Sequence, residues 1–543
     1  MALAVAVAIA APVLAFDGDL DPAFGGDGIV VTNTPNNAYD RATDAIVDSS
    51  NRVVAAGWTG ATGSPGVADF LVARYDSTGA LDGNLSSDGL ASAPVGTEDD
   101  TANAIAEQDD GKLVVVGQAT DAGGDFDLAV VRFNEDGTLD QGFDGDSGSG
   151  NGVVTIASAP GGDSDIYAND VAIQDNGKIV VAGAGDVDTT AGENYDMVVA
   201  RLNADSTLDD TTDADPMVSF DTDGIAITDF TGADGFDGAN SVAIQDNGMV
   251  VAAGDASPDS GDADAAFARY TTTGGLDAAF DGDAGNGNGK VLVDFAGSSD
   301  SAIDLTIQED GLLLAAAAAG SSIGLTRLVS ADGGLDDSLA EDGTAISTFG
   351  AGTTSNVVEA VDQLSDGRIV VTGTATVGTN VDFAFARYLP DGTLDPDFGG
   401  EGTVTAGASA TIADRAHGAA LTAEDRIVAA GFMANDPPTD RDVEVMRLRD
   451  DETAPQTEFT RTPKKKVKTR KRRKRVTFAF SSSEAGSTFD CKLDDRGAIA
   501  CESPYRFKAK RGRHVFSVVA TDGVDNEDPT PAEFSFKVKR KKK

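Results

Sequence analysis

The chain repeats itself about every sixty residues, and no other feature limits its fold so narrowly. Ala102–Gly117 reads ANAIAEQDDGKLVVVG, Ala168–Gly183 reads ANDVAIQDNGKIVVAG and Ala239–Gly254 reads ANSVAIQDNGMVVAAG. After each comes a variable loop, then a segment such as Phe126–Asn134 (FDLAVVRFN) or Asp382–Tyr388 (DFAFARY). A turn of the type DGTLD follows, and then a glycine-rich loop leading into an apolar stretch like Gly28–Thr32. The arginine of the A-R-Y/F/L segment counts the copies: Arg74, Arg132, Arg201, Arg269, Arg327, Arg387 and Arg447, seven in all.

Each copy reads as four short strands. The Asp-Gly and Asn-Gly pairs stand where a tight hairpin needs positive φ. Runs of Val, Ile and Ala suit sheets covered on both faces. No ten-residue stretch beyond the N-terminal segment has helical periodicity. Four antiparallel strands repeated seven times predict an all-β, seven-bladed β-propeller over residues 16–450. Gly28–Thr32 precedes the first full copy and is expected to supply the outer strand missing from the last one. The fifth copy is the most degenerate, its second strand dissolving into Ala315–Ala319. The motifs Q-D-D-G-K-I-V-V-A-G and F-A-R-Y-x-x-D-G-T-L-D resemble the delta-60 repeats of bacterial extracellular proteins. That resemblance implies a propeller-like fold and carries no catalytic residue over to this chain.

Charge divides the sequence. Pro455–Lys543 holds 24 Lys/Arg against 11 Asp/Glu, a net of +13, within a chain of −49; residues 1–454 therefore carry −62. So sharp a change of sign marks a domain boundary. A linker with a basic run is expected over 451–475, and a small β-sandwich with a basic tail over 476–543, its start as early as 454. The stretches SSSEAGSTFDC and HVFSVVATD resemble the Ig-like modules that end many secreted actinobacterial proteins. Cys491 and Cys501, the only cysteines, suit a local disulfide. Residues 1–15, MALAVAVAIAAPVLA, read as a secretory signal. No later apolar run is long enough to span a membrane.

Candidate site residues are few. The loops from Phe143 and Phe280 space carboxylates two apart among glycines, which makes Asp144, Asp146, Asp281 and Asp283 candidate calcium ligands. The seven arginines are expected to pair with a turn aspartate within their own repeat, and Gln108, Gln174, Gln245 and Gln308 to serve the hairpins. With only His417 and His514 present, histidine-dependent metal sites and Ser/His or Cys/His catalysis are disfavoured. His417, without a nucleophile beside it in sequence, reads as structural. The run KKKVKTRKRRKR makes Lys464, Lys465, Lys466, Arg470, Lys471, Arg472, Arg473, Lys474 and Arg475 polyanion-binding candidates. Without interleaved aromatics, sequence-specific nucleic-acid binding is not expected.

Together these features predict a monomeric, secreted or surface-associated, non-catalytic binding or adhesion scaffold. Its partner would be a cell-wall glycan, another anionic polymer or a surface protein, met by loops such as Gly60–Ala68, Asp121–Asp125 and Asp186–Tyr195. A polysaccharide lyase or hydrolase and a purely structural envelope protein are the competing readings. Clustered carboxylates with raised pKa values would favour the enzyme.

Overall fold

The structure is a computed structural model. It describes residues 18–541 apart from 35–37, 62–67, 97, 122, 146–149, 158–164, 187–194, 211–218, 233–234, 258–260, 283–286, 296–298, 409–412, 435–440, 450–454, 484–486, 495 and 522–527. The segment expected to be a secretory signal lies outside these residues, as do Asp146 and Asp283. The chain divides into an N-terminal region, Met1–Arg449, and a C-terminal module, Asp450–Lys543. All regular structure among the described residues is β, and no described helix is long and apolar enough to cross a membrane.

Each repeat of the N-terminal region forms an antiparallel group of four strands, which in the second repeat are Asp100–Glu107, Leu113–Thr120, Phe126–Phe133 and Val153–Ile156. The first hairpin turns on the Asp-Gly or Asn-Gly pair; Gly177, for example, sits at φ +81°, where a side chain would be strained. A register shift follows the conserved alanine of the first strand, between Ala168 and Asp170 in the third repeat. Opposite it stands Gly183, where a Cβ would lie 1.9 Å from the Tyr167 carbonyl oxygen. The glycine ending V-V-A-G is thus required by the bulge. The fifth repeat keeps its second strand, Leu313–Ala319, despite the alanine run, because backbone pairing on both sides holds it.

Neighbouring repeats face each other across apolar layers. Val54, Phe70 and Val72 of the first pack with Ile105, Val115 and Val131 of the second, and the alanines between them let the sheets approach closely. The first strand of each repeat adjoins that of the next, and that of the seventh adjoins that of the first. Single parallel bridges also link Tyr39 to Arg441 and Tyr195 to Phe236.

The seventh repeat has only three strands of its own, ending with Arg441–Leu448. Ile29–Thr32, from before the first repeat, pairs with it antiparallel. The same leading segment supplies Asp21, 2.8 Å from Arg447, and Phe24, whose ring lies 4.7 Å from the Arg447 guanidinium. Every counting arginine has an equivalent aspartate, from Arg74–Asp82 at 2.9 Å to Arg387–Asp395 at 2.8 Å. Each of the first five also donates to a backbone carbonyl in the following repeat, as Arg74 does to Glu135. The arginine therefore fastens repeats together as well as closing its own turn. Gln108 likewise reaches forward to the Gly177 carbonyl at 3.3 Å, beyond the hairpin role expected for it.

In the C-terminal module a three-stranded and a five-stranded sheet enclose Phe478, Phe480, Phe516 and Phe536. The basic run expected to link the domains is folded into these sheets: Thr457–Arg461, Lys466–Thr469 and the start of Arg473–Ser482 are strands. Cross-strand pairing overrides the weak β-propensity of lysine here. Cys491 and Cys501 form a disulfide with their Cα atoms 5.8 Å apart. Replacing both with serine is expected to cost the module about 2–3 kcal/mol, measured as an earlier urea midpoint of its own transition. An unchanged midpoint would mean the pairing of Asp490 and Cys491 with Ala500 and Ile499 already fixes the loop.

Candidate functional site

The first strand of each repeat carries the polar residues that cross to its neighbour. In the A-N-x-V motif the asparagine donates to the carbonyl of the next repeat's conserved alanine: Asn103 to Ala168 at 2.7 Å, Asn169 to Ala239 at 2.8 Å, Asn240 to Ala302 at 2.9 Å. Thr43 does the same to Ala102 at 2.8 Å. One residue later, a carboxylate accepts a backbone N–H of the next repeat: Asp44 from Ile105, Asp170 from Val242, Asp304 from Val361. Ser241 fills that position in the fourth repeat, its Oγ within hydrogen-bond distance of both Asp170 and Asp304 at 3.0 Å.

Between the sixth, seventh and first repeats the asparagine bridge is replaced by charged groups. Glu359 and His417 occupy the asparagine position, with Glu359 Oε1 3.5 Å from His417 Nδ1. The Arg41 guanidinium lies 2.9 Å from His417 Nε2. His417 stacks on Phe432 at 5.5 Å, and Phe432 also carries Arg41 at 5.3 Å and Arg441 at 4.3 Å. Arg441 reaches across to Tyr39 of the first repeat at 4.5 Å, and Tyr39 stacks on Trp58 at 5.5 Å. The result is a continuous run of alternating rings and cations, Trp58–Tyr39–Arg441–Phe432–Arg41–His417, built where the ends of the repeat array meet. Burial, followed by the charge of Arg441, lowers the Arg41 pKa, while Glu359 opposes the shift. The Arg41 Nε is enclosed and makes no hydrogen bond among the described residues. Arg415, a further cation acting on Arg41, is exposed. In a region of net charge −62, Arg41 and Arg441 beside the chain's only tryptophan and its tyrosine neighbour, with Arg415 acting on Arg41, form an anion-attracting spot with ring faces to stack on.

Deeper along the same first strands, burial and mutual repulsion push carboxyls up: Asp44 to about 8, Asp170 to about 7, Asp362 to about 8. Each retains part of its surface. In the seventh repeat Glu444 is fully buried and raised to about 9 by burial, then by Asp414.

Of the calcium candidates, Asp144 and Asp281 each accept the N–H closing their own loop, Gly150 at 3.0 Å and Gly287 at 2.8 Å. Two other groups hold three carboxylates with ligand atoms within 4.8 Å: Asp196, Asp229 and Asp237, and Asp264, Asp294 and Asp300. Their signal was present in the sequence as an aspartate five residues before the counting arginine, at Asp69, Asp127, Asp196, Asp264, Asp382 and Asp442. The arginine–aromatic run was missed for a different reason. Tyr39, Trp58, His417 and Arg441 depart from the repeat at four separate places, and only the packing of the seventh repeat on the first brings them together. The polyanion candidates are all exposed on the C-terminal module.

The sequence profile of a family described as "Domain of unknown function (DUF5122) beta-propeller" matches residues 108–143, 174–211, 245–280 and 364–398. No curated protein matches the chain. Among solved structures, a protein of unknown function from Dyadobacter fermentans is similar at 11% identity, covering 78% of this chain and 98% of that one, with a TM-score of 0.39. A streptogramin B lyase is similar at 12% identity, covering 78% and 97%, with a TM-score of 0.40. The extracellular domain of a hybrid two-component system protein of B. thetaiotaomicron is similar at 10% identity, covering 97% and 59%, with a TM-score of 0.36.

Proposed function

We propose that this protein is an extracellular, non-catalytic binding scaffold: a seven-bladed propeller of four-stranded delta-60-type blades, followed by an Ig-like module. Its ligand is an anionic glycan held where the last blade meets the first. One observation carries this reading: Arg41 and Arg441 gather beside Tyr39 and Trp58, with the exposed Arg415 acting on Arg41, in an otherwise strongly acidic region. Arginine forks match a sugar carboxylate or ester, and a tryptophan face covers the apolar side of a pyranose ring. The aspartates nearby repel other anions and so restrict approach to this spot. The disulfide fits an oxidising compartment.

The test is an array of neutral and uronate-bearing glycans probed with wild type and with the Trp58→Ala and Arg415→Ala variants. Selective capture of uronate-bearing glycans is expected, weakened about tenfold by either substitution. Capture of none, or capture by both variants equal to that of wild type, overturns the assignment. A second reading draws on Asp44, Asp170 and Asp362, whose raised pKa values suit general acid–base work on a polysaccharide. The hydrogen bonds of Asp44 and Asp170 to neighbouring backbone favour the structural role. New reducing ends or unsaturated fragments appearing in the array wells would favour the enzyme.

A further inference from the structure

We propose that the C-terminal module binds a linear anionic polymer bearing phosphate or sulfate esters. The seat is the groove between Thr457–Arg461, Lys466–Thr469 and the start of Arg473–Ser482. This open groove, about 630 Å³, is lined by Arg461, Lys464, Lys466, Lys468, Lys474 and Arg475, and none of its lining side chains is acidic. Among the described residues, none of these six cations forms an ion pair with a carboxylate.

Strand register makes the same point independently. Opposite charges are the usual cross-strand partners, and like charges placed directly opposite destabilise a sheet. Here Lys466 pairs with Lys537 and Lys468 with Lys539, while Arg513 stands on the far side of Lys537. In the other sheet Arg473 faces Lys510 and Arg475 faces Lys508. Both sheets thus hold rows of like charge in fixed register, a repulsion that a dense row of anions relieves. Extended strands repeat same-side cations about every 7 Å, a spacing suited to a polymer with regularly placed charges. The groove lining consists of Arg, Lys, Thr, Pro and Val, with no ring on which a base would stack. The chemistry therefore favours an anionic wall or matrix polymer over nucleic acid.

The experiment uses the full chain with three probes: a poly(glycerol phosphate), a sulfated glycosaminoglycan and a mixed-sequence single-stranded DNA. Both ester polymers are expected to bind, with affinity falling of the order of a hundredfold between about 50 and 200 mM salt. Binding by only one of the two identifies which ester the groove accepts and still supports the proposal. The triple variant K466Q/K468Q/K474Q keeps the aliphatic stems and is expected to lose at least tenfold in affinity. The proposal is overturned by no polymer binding in low salt, by equal binding of wild type and triple variant, or by DNA binding tighter than either polymer.

Discussion

Replacing Asp21 with alanine is expected to remove about 3–5 kcal/mol from the N-terminal region. Asp21 and Arg447 are both almost wholly buried and joined at 2.8 Å, with Arg426 and Arg449 approaching the same carboxylate at 3.7 and 3.9 Å. Burial already lowers the Arg447 pKa, and Asp21 is the charge that opposes it. Without Asp21 three guanidinium groups crowd together around an uncompensated buried cation, a larger penalty than losing the attraction itself. The substitution also loosens the segment that brings Ile29–Thr32 to the last repeat. Chemical denaturation of D21A beside D395A provides the measurement, since Asp395 serves Arg387 in an interior repeat. A loss below about 1 kcal/mol in D21A would show that the closing strand holds without the ion pair.

The N-terminal region is expected to grow more stable as the solution is acidified from pH 8.5 to pH 5. In the folded protein Asp44, Asp170 and Asp362 titrate at about 8, 7 and 8, whereas unfolded aspartates titrate near 3.9. Between those limits the folded state binds more protons, so stability falls as pH rises through the folded pKa values. Carboxyls held low, such as Asp82 and Asp140, act oppositely but only at lower pH, as their own protonation begins. Partial solvent access limits the gain from the raised set to a few kcal/mol. The thermal midpoint at pH 5 should exceed that at pH 8.5 by several degrees at matched ionic strength. Asp362→Asn removes a carboxyl whose charged form is disfavoured by burial, Asp304 and Asp44, so the variant should be the more stable protein at pH 8.5 and show a flatter profile. A midpoint that rises with pH, or a D362N variant less stable at pH 8.5, would mean the acidic groups are neutralised by something other than protons.

How much of this was legible beforehand differs from feature to feature. The repeat period, the hairpin glycines and the A-R-Y arginines are local patterns written seven times, and the strands form where those patterns place them. The role of Ile29–Thr32 could also be read, because the last copy lacks a fourth strand and the first has one to spare. The basic run near Lys466 was grouped with the linker, with a module start as early as 454 left open, and it is built into strands. Its charges obscured an alternation whose apolar members, such as Val476 and Phe478, face a phenylalanine core. The calcium candidates came from local spacing within one loop, while the closer carboxylate groups among the described residues join residues more than thirty positions apart.

Sequence alone thus determined the kind of element, its count and its period, since these depend on neighbours a few residues away. Tertiary structure decided which departures from the repeat meet. Arg41 and His417, 376 residues apart, touch only because the seventh repeat packs on the first. Asp170 raises Asp44, and Asp44 raises Asp362, only because first strands from different repeats are brought close together. Local pattern cannot encode such proximity, because it arises from the summed rotation of all the repeats between.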